Sequence, residues 1–379
     1  MAHVQRLSGG RGWQARYRDA DRREHARNFK TKRDALRWLD SVTASKVRGD
    51  YSDPRAGRAT VGELAEIWFD TTLPLKPSTR ANYRSLLDTH VLPRWSEREV
   101  GSLTMSDTGT WVAEMSAHRS ASVTRKSLGV LRQVLELAVR DRRMAVNPAL
   151  GVTQPRLPMT EQRVLNAVDL QSLAEAMPTR RDRVLVLTLG WVGLRFGEAV
   201  ALEARDTDLL RRRLRITRSA TEVRGRLEMG SPKTHAARTV AIPAFLGEEL
   251  AALMAESGGE TAPLFADVSG SMIRGTNWKR RTFDPAALAI GLTPPPLRIH
   301  DLRHTAASLS ILAGANVKSV QQQLGHRSAT LTLDRYGHLF PDELDTLGDA
   351  LETLRLGAPA DSGRILDHSA AVIEIGAGL

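Results

Sequence analysis

Residues 294–308 read PPPLRIHDLRHTAAS, and they decide how the largest region of the chain is interpreted. Three prolines stiffen the approach, so the sequence predicts a helix that begins near Asp301, with His300 at its mouth. His300 and Arg303 share one face near the positive end of the helix dipole, which suits an oxyanion or a phosphate. His300 and His304 have the spacing of helical metal ligands, but the guanidinium between them opposes a divalent cation.

The composition is that of an ordinary globular chain. Its 379 residues indicate two or three domains, and a hydrophobic fraction of 41% can support real cores. Without cysteine there is no disulfide, no thiolate metal site and no cysteine nucleophile. The first residues lack the apolar segment of a signal peptide, and no stretch approaches the length of a membrane span. We therefore expect a cytoplasmic protein without membrane contact.

The charge points to a polyanionic partner. The formal net charge is +11, and positive charge favours nucleic acid because phosphate binding releases counterions. Residues 1–50 hold thirteen Lys or Arg against six Asp or Glu, whereas residues 341–379 hold two against eight. The basic N-terminal segment predicts a contact with nucleic acid. The acidic C-terminal segment predicts a protein contact or a solvated tail.

The first part of the chain predicts a small β-rich module over residues 1–55. The segments GWQARYR (12–18) and EHARNFK (24–30) alternate in polarity and predict a hairpin. Residues 31–49 carry apolar side chains at helical spacing and predict one helix. Residues 50–59 have the composition of a linker.

Residues 60–150 predict a compact bundle. Four segments carry apolar residues at three-to-four spacing, with Ser78 and Ser122 as expected N-caps. Basic residues on these helices are candidate DNA contacts, although solvated helix surfaces carry the same charges. These candidates are Lys76, Arg80, Arg84, Arg125 and Lys126.

Residues 163–356 predict a larger region in which helices surround a few short strands. In it, GLRFGEA (193–199) places Arg195 at a glycine-flanked helix start, with Glu198 three residues on as its anionic partner. The segment SPKTHAART (231–239) places Lys233 at the tip of an expected hairpin.

The segment QQLGHRSATLTLDRYGHLF (322–340) completes the set of candidate residues. Gly325 is expected to end one helix and to present His326. A following helix carries Tyr336 near its end, where the next glycine would let it move. The candidate site thus holds arginines, a lysine, histidines and a tyrosine, but no acidic cluster to hold metal ions. Such a set suits metal-free attack on a phosphodiester, which needs cations, a general acid and a nucleophile.

These motifs resemble those of the tyrosine recombinases of the phage integrase family. G-L-R-F-G-E resembles the first arginine box, H-D-L-R-H the H-x-x-R box, L-G-H the second histidine box and D-R-Y-G-H the nucleophile box. Each motif alone is weakly specific, but their order, with a lysine segment between them, is highly specific. The resemblance covers nearly the whole chain.

The resemblance implies a multidomain α+β fold. Residues 1–55 would form an arm-type DNA-binding domain and residues 60–150 a helical core-binding bundle. Residues 163–356 would form a mixed, mainly α-helical catalytic domain with a small antiparallel sheet, and residues 357–379 a C-terminal tail.

The resemblance also implies a mechanism. Tyr336 would attack the scissile phosphate to give a 3′-phosphotyrosyl link while Arg195 and Arg303 neutralise the phosphorane. Lys233, preferred over Lys279 only for its place on a hairpin, would be the general acid. The remaining implied roles are a phosphate contact for His326, proton transfer or tyrosine orientation for His300, and mere support of the helix for His304.

The implied partners are double-stranded DNA attachment sites, a homotetramer in the synapse, and accessory DNA-bending or directionality factors. No cofactor and no metal is expected, and the enzyme would work at the nucleoid of a bacterial host. Two rival functions share parts of this evidence: a type IB topoisomerase-like DNA-relaxing enzyme and a non-catalytic DNA-binding regulator. A metallohydrolase is disfavoured because HDLRH lacks the glutamate of H-E-x-x-H.

Overall fold

A computed structural model describes residues 2–8, 10, 12–18, 22, 24–48, 56–158, 163–232, 237–292, 294–340 and 344–356. The chain divides into two compact units. The first unit contains residues 1–161 together with 221–228, and the second contains residues 162–220 together with 229–379. No helix in the described part of the chain is long and apolar enough to cross a membrane.

The first unit begins with a three-stranded antiparallel sheet. Its strands are β1 (His3–Arg6), β2 (Trp13–Arg18) and β3 (Glu24–Phe29), in the order β1-β2-β3, and helix α1 (Lys32–Arg48) follows. Side chains from β2 and α1 form a small core: Ala15, Tyr17, Ala35 and Leu39. The predicted hairpin and helix are confirmed. Strand β1 was missed, because its sequence HVQR contains a single apolar residue and is too short to show alternation.

A helical bundle follows within residues 56–158, all of which the structure describes. Its helices are α2 (Val61–Thr71), α3 (Pro77–Leu86), α4 (Leu92–Trp95), α5 (Met105–His118) and α6 (Ala121–Arg140). A π-helical turn at Leu87–Val91 joins α3 to α4, so the two form one of the four predicted helices. The expected N-caps were wrong: Lys76 precedes the Pro77 that starts α3, and Ser120 caps α6.

The bundle has one continuous core. Trp95 and Trp111 pack edge to face at 5.9 Å, and Leu128, Leu131 and Leu135 line the buried face of α6. This face repeats every three to four residues, as the periodicity predicted. Burial of the aromatic and leucine side chains stabilises the bundle by roughly 1.5–3 kcal/mol per residue.

The second unit is mainly helical, as predicted. Its helices are α7 (Ala167–Glu175), α8 (Arg180–Leu187), α9 (Phe196–Ala199), α10 (Ala244–Ala255), α11 (Gly275–Trp278), α12 (Asp284–Ala289), α13 (Ile299–Leu312), α14 (Val317–Leu324), α15 (Ala329–Tyr336) and α16 (Leu344–Arg355). Helix α13 starts two residues before Asp301, after the N-cap Arg298. It packs against the π-helical turn Thr188–Val192 and against α14.

Short antiparallel strands complete the fold and confirm the α+β class. Strands β4 (Thr207–Asp208), β5 (Arg213–Ile216) and β8 (Arg238–Ala241) form one sheet, in that order. Strands β6 (Ser219–Val223) and β7 (Arg226–Gly230) form a separate pair. Strands β7 and β8 thus belong to different sheets. The expectation that Lys233 lies at a hairpin tip falls on a residue outside the described part of the chain.

Candidate functional site

Arg195 is positioned by the glycine that ends the preceding helical run. Gly193 has a left-handed φ of +77°, and a Cβ at this position would lie 2.6 Å from Leu324. The chain then turns so that Arg195 caps the start of α9. The backbone N–H of Arg195 donates to Glu198 at 3.0 Å, and its guanidinium Nη1 donates to the same carboxylate at 2.8 Å. Glu198 thus fixes both the main chain and the side chain of Arg195.

Arg238 is a second partner of Glu198 that sequence reasoning missed. From β8 it donates Nη1 and Nη2 to the two oxygens of Glu198, at 3.0 and 2.7 Å. A Cβ on Gly325 would lie 2.7 Å from the Arg238 guanidinium, so this glycine leaves room for the arginine. A signal was present in the sequence, because Arg238 and the buried Val240 are two apart and share one face of β8.

Glu198 is a charged group in the interior. It is 1% exposed, and its burial opposes ionisation. The hydrogen bond and charge of Arg238, together with the backbone N–H and charge of Arg195, outweigh that penalty and lower the pKa of Glu198 to about 2. The carboxylate therefore stays ionised at neutral pH and holds two guanidinium groups.

Arg303 lies deepest among the candidate cations, at 3% exposed. Its Nη1 donates to the carbonyl of Gly193 and its Nη2 to the carbonyl of Leu324, both at 2.6 Å. It therefore ties α13 to the loop before Arg195 and to the end of α14. Burial and the charge of Arg195 lower the pKa of Arg303 to about 9, still far enough above neutrality to keep the guanidinium charged.

Tyr336 is held by a histidine, contrary to the expectation that it would be free to move. The Nδ1 of His304 lies 2.7 Å from the Tyr336 hydroxyl, and both residues are buried. His304 thus contacts the candidate nucleophile, a contact that its expected role as a support for the helix did not include. The sequence shows that His304 follows His300 by four residues. It could not show that His304 contacts Tyr336, which lies 32 residues further along the chain.

His326 and His300 flank the same tyrosine–histidine pair. The ring of His326 lies parallel to the Tyr336 ring at 6.4 Å, and its Nδ1 lies 2.9 Å from the Thr332 hydroxyl. His326 follows Gly325, which ends α14 in a left-handed conformation, as predicted. His300 packs its ring edge to face against His304, with centroids 5.0 Å apart, and is itself exposed.

All three histidines are neutral at pH 7. Burial and nearby positive charge lower the pKa values of His304 and His326, to about 4 and about 3. Partial desolvation against its neighbours and the charges of Arg303, Arg335 and Arg195 lower the pKa of His300 to about 4, although part of its ring is exposed. Arg335 contributes to the shift of each one. Burial also raises the pKa of Tyr336, against the charges of Arg303 and Arg335. The resting site therefore combines charged guanidinium groups, neutral imidazoles and a protonated tyrosine.

Of the two candidate lysines, the structure describes Lys279 but not Lys233. Lys233 lies outside the described residues. Lys279 lies in a π-helical turn after α11, where its Nζ is 2.7 Å from both oxygens of Asp284. The ammonium group of Lys279 therefore already has an anionic partner in Asp284.

The candidate DNA-contacting residues all lie in the helical bundle, and some make contacts within it. Arg84 binds Glu66 at 2.7 Å and Asp88 at 2.9 Å, and Arg80 donates to Thr72 and stacks over Phe69. These contacts give Arg80 and Arg84 a structural role alongside any DNA contact. Three other candidates, Lys76, Arg125 and Lys126, are half-buried or exposed.

The arrangement is chemically suited to an anion. The charges of Arg303 and Arg335 act on the buried Tyr336 hydroxyl, and the charge of Arg195 acts on Arg303. The nearby imidazoles are neutral and add no positive charge. Arginine binds phosphate oxygens through paired N–H groups. Among the described residues, no three His, Asp or Glu side chains lie together as metal ligands.

Comparisons with known proteins agree on one family. The sequence profile of the phage integrase family matches residues 163–343. The chain is 30% identical over 351 residues to a prophage phiRv2 integrase of Mycobacterium tuberculosis, covering 89% of this chain and 91% of that protein. It is 26% identical to the integrase of Mycobacterium phage L5, covering 80% and 84% of the two chains.

Solved structures share the fold at low sequence identity. The Tn1549 transposon integrase, in complex with a circular intermediate DNA, aligns with a TM-score of 0.66 and 18% identity, over 78% of this chain and 99% of that one. A lambda integrase tetramer bound to a Holliday junction aligns with a TM-score of 0.58 and 17% identity, over 86% and 96% of the chains.

Proposed function

The chain belongs to the phage integrase family of tyrosine recombinases, which carry out site-specific DNA recombination, and we propose that Tyr336 is its nucleophile. The assignment is supported above all by the surroundings of the Tyr336 hydroxyl, which is buried and bound by His304 and on which the positive charges of Arg303 and Arg335 act. A tyrosine that merely filled a core would not need two charged guanidinium groups and three neutral imidazoles around it.

The proposed reaction is a transfer of the phosphoryl group. The Tyr336 Oη forms a bond to the scissile phosphorus while the bond from phosphorus to O5′ breaks, which leaves a 3′-phosphotyrosyl link and a free 5′-hydroxyl. Arg195 and Arg303 neutralise the charge that grows on the non-bridging oxygens, and Glu198 supports Arg195. His326 contacts a phosphate oxygen, and Lys233 gives its proton to O5′. The phosphotyrosine retains the bond energy, so religation needs no ATP.

Trapping on a nicked suicide substrate that contains the attachment site tests the nucleophile. The wild-type protein is expected to form a covalent DNA adduct that survives detergent and forms in EDTA. Tyr336→Phe should form none, whereas Tyr83→Phe, which alters a tyrosine packed against Trp68 in the bundle, should form it normally. An adduct formed by Tyr336→Phe would show that another residue is the nucleophile.

The general acid can be identified by changing the leaving group. When sulfur replaces the bridging O5′, the departing thiolate needs no proton. Lys233→Ala is therefore expected to lose cleavage of ordinary DNA and to recover it on the sulfur-containing substrate. Lys279→Ala should cleave both, because its ammonium is bound to Asp284. The reverse pattern would assign the role to Lys279.

The proposed partner is double-stranded attachment-site DNA. Residues 1–55 would bind arm sites and residues 60–150 the core site, where Lys76, Arg80, Arg84, Arg125 and Lys126 are candidate contacts. Support comes from the charge of the first fifty residues and from solved relatives that are described in complex with DNA. Deleting residues 1–55 is expected to impair integration more than cleavage of core-site DNA. An equal loss of both would argue against a separate arm-binding role.

The proposed assembly is a homotetramer in the synapse, with accessory DNA-bending or directionality factors. Helix α16 supports this, because Leu347, Leu351 and Leu354 lie on one face and are more than half exposed. Such a face would suit docking on a neighbouring protomer. Leu351→Lys is expected to leave adduct formation by isolated protomers intact and to weaken assembly on DNA, measured by light scattering. The proposed location is the nucleoid of a bacterial host.

A further inference from the structure

We propose that His304 is a catalytic residue that accepts the proton of Tyr336 as the hydroxyl attacks phosphorus. The inference rests on the proposed role of Tyr336 and adds a group that the motif comparison did not assign. It moves the proton-transfer role from His300, which the family resemblance suggested, to the next histidine of α13.

His304 lies close enough to Tyr336 to take its proton. The Nδ1 of His304 lies 2.7 Å from the Tyr336 Oη, which is within the range of a strong hydrogen bond. The proposed base is the neutral tautomer that carries its proton on Nε2, in which the Tyr336 hydroxyl donates and the His304 Nδ1 accepts; Tyr336 is protonated and His304 is neutral at pH 7. The proton of the nucleophile therefore already points at the group proposed to take it.

His304 and His300 differ in their exposure to solvent. His304 is 5% exposed and lies beside the buried hydroxyl, whereas His300 lies one turn earlier at the mouth of α13 and is exposed. The exposed ring is placed to meet a phosphate that arrives from solvent. The buried ring is placed to serve the tyrosine. Their edge-to-face contact at 5.0 Å keeps both rings in these positions.

The charged groups around His304 set its protonation state. The groups that face His304 are His300, Asp301 and Arg298 from its own helix or its cap, Arg335 and Tyr336 from α15, and His326 after α14. In the free protein, burial and this surplus of positive charge keep the imidazole unprotonated. A scissile phosphate brings negative charge to the same place and raises the proton affinity of the imidazole as the attack proceeds. The base thus gains strength when DNA is bound.

Each proton that is released during cleavage or religation is accepted by a named group. During cleavage the proton moves from Tyr336 Oη to His304 Nδ1 while O5′ receives a proton from the general acid. During religation the incoming 5′-hydroxyl loses its proton to that acid, and His304 returns its proton to the departing Tyr336 Oη.

The test compares two isosteric substitutions in the full-length protein. His304→Asn places an amide oxygen near the position of Nδ1, so it can accept the hydrogen bond but cannot take the proton. His300→Asn is the matched control one turn away. Single-turnover adduct formation on the suicide substrate is measured from pH 6 to pH 9, with DNA affinity measured in parallel by gel shift.

His304→Asn is expected to bind DNA like the wild type and to cleave it about 100-fold more slowly at pH 7. Its rate should rise about tenfold per pH unit as hydroxide replaces the lost base, while the wild-type rate stays flat. Replacing Tyr336 with a trifluorotyrosine, whose phenol is more acidic, should restore much of the variant's rate. His300→Asn should keep the flat pH profile.

Three outcomes would overturn the inference. They are a His304→Asn variant that cleaves like the wild type, a slow variant with a flat profile and no recovery by fluorotyrosine, or a rising profile found in His300→Asn instead. Failure of the proposed function is distinguishable from all three, because the wild type would then form no Tyr336-dependent adduct at all.

Discussion

Replacing Arg238 tests whether Glu198 is the anchor of the arginine pair. Arg238→Met removes the bidentate partner of a carboxylate that is 1% exposed, and it keeps much of the apolar length of the side chain. We expect a large loss of stability in the second unit, because breaking a buried ion pair leaves one charge without compensation.

The magnitude follows from the pKa of Glu198. A fall from 4.5 to about 2 means that the folded environment favours the charged carboxylate by about 3 kcal/mol, at about 1.4 kcal/mol per pKa unit. Arg238 supplies the largest favourable part of this shift and Arg195 the rest, so Arg238→Met should cost about 2–3 kcal/mol at pH 7. Since the folded pKa is lowered, this contribution is present above pH 4.5 and is lost as the pH falls towards 2.

Native-state hydrogen exchange as a function of urea measures this loss where it occurs. Two units can unfold separately, so a single global melting curve would mix them. Peptides covering residues 193–203 should exchange with a free energy of opening reduced by the predicted amount. The double variant Arg238→Met with Glu198→Gln should be less destabilised than the sum of the two single variants, because no unpaired charge remains. Strict additivity, or a loss below about 0.5 kcal/mol, would refute the reasoning.

Two further predictions follow from the second unit and the bundle. Gly197→Ala is expected to abolish cooperative folding of the second unit, because its Cβ would lie 2.1 Å from the Ala220 carbonyl oxygen. Gly129→Ala, in α6 with nothing within 4 Å of its Cβ, should stabilise the bundle by about 0.5–1 kcal/mol. Hydrogen exchange of peptides from each unit measures the two effects separately. Acidification from pH 6.5 to 4 should destabilise the second unit by about 1.4 kcal/mol per pH unit for each of the two buried site histidines, His304 and His326, because the unfolded chain binds protons that the folded site excludes. The variant His326→Asn should show a shallower loss in urea titrations across this range, and an unchanged slope would contradict the low pKa of that histidine.

The fold was predictable where a pattern repeats along the chain. The helices of the bundle and of the second unit bury one face every three to four residues, and that periodicity is a property of the sequence itself. Strand β1 and the separation of β7 from β8 were not predictable in the same way. Four-residue strands carry too few positions to show alternation, and sheet pairing depends on contacts between distant segments.

The site was predictable where chemistry is local. The pairing of Arg195 with Glu198 spans three residues, and a helix start fixes its geometry. The pairing of Glu198 with Arg238 spans forty residues, and that of His304 with Tyr336 spans thirty-two. Local spacing could not reveal either, because both depend on how β8 and α15 pack against the rest of the unit.

The two missed contacts explain how one set of cations can serve both binding and proton transfer. Arg303 and Arg195 lower the pKa values of His300 and His326, whereas burial, His300, Arg335 and Arg298 lower the pKa of His304, so the histidines remain neutral. A protonated His304 would add a cation but could not accept a proton from Tyr336. Glu198 holds two arginines without neutralising Arg303, which bonds to backbone carbonyls instead. Burial, together with Arg335 and Arg298, therefore keeps the histidine beside the nucleophile unprotonated and able to act as a base.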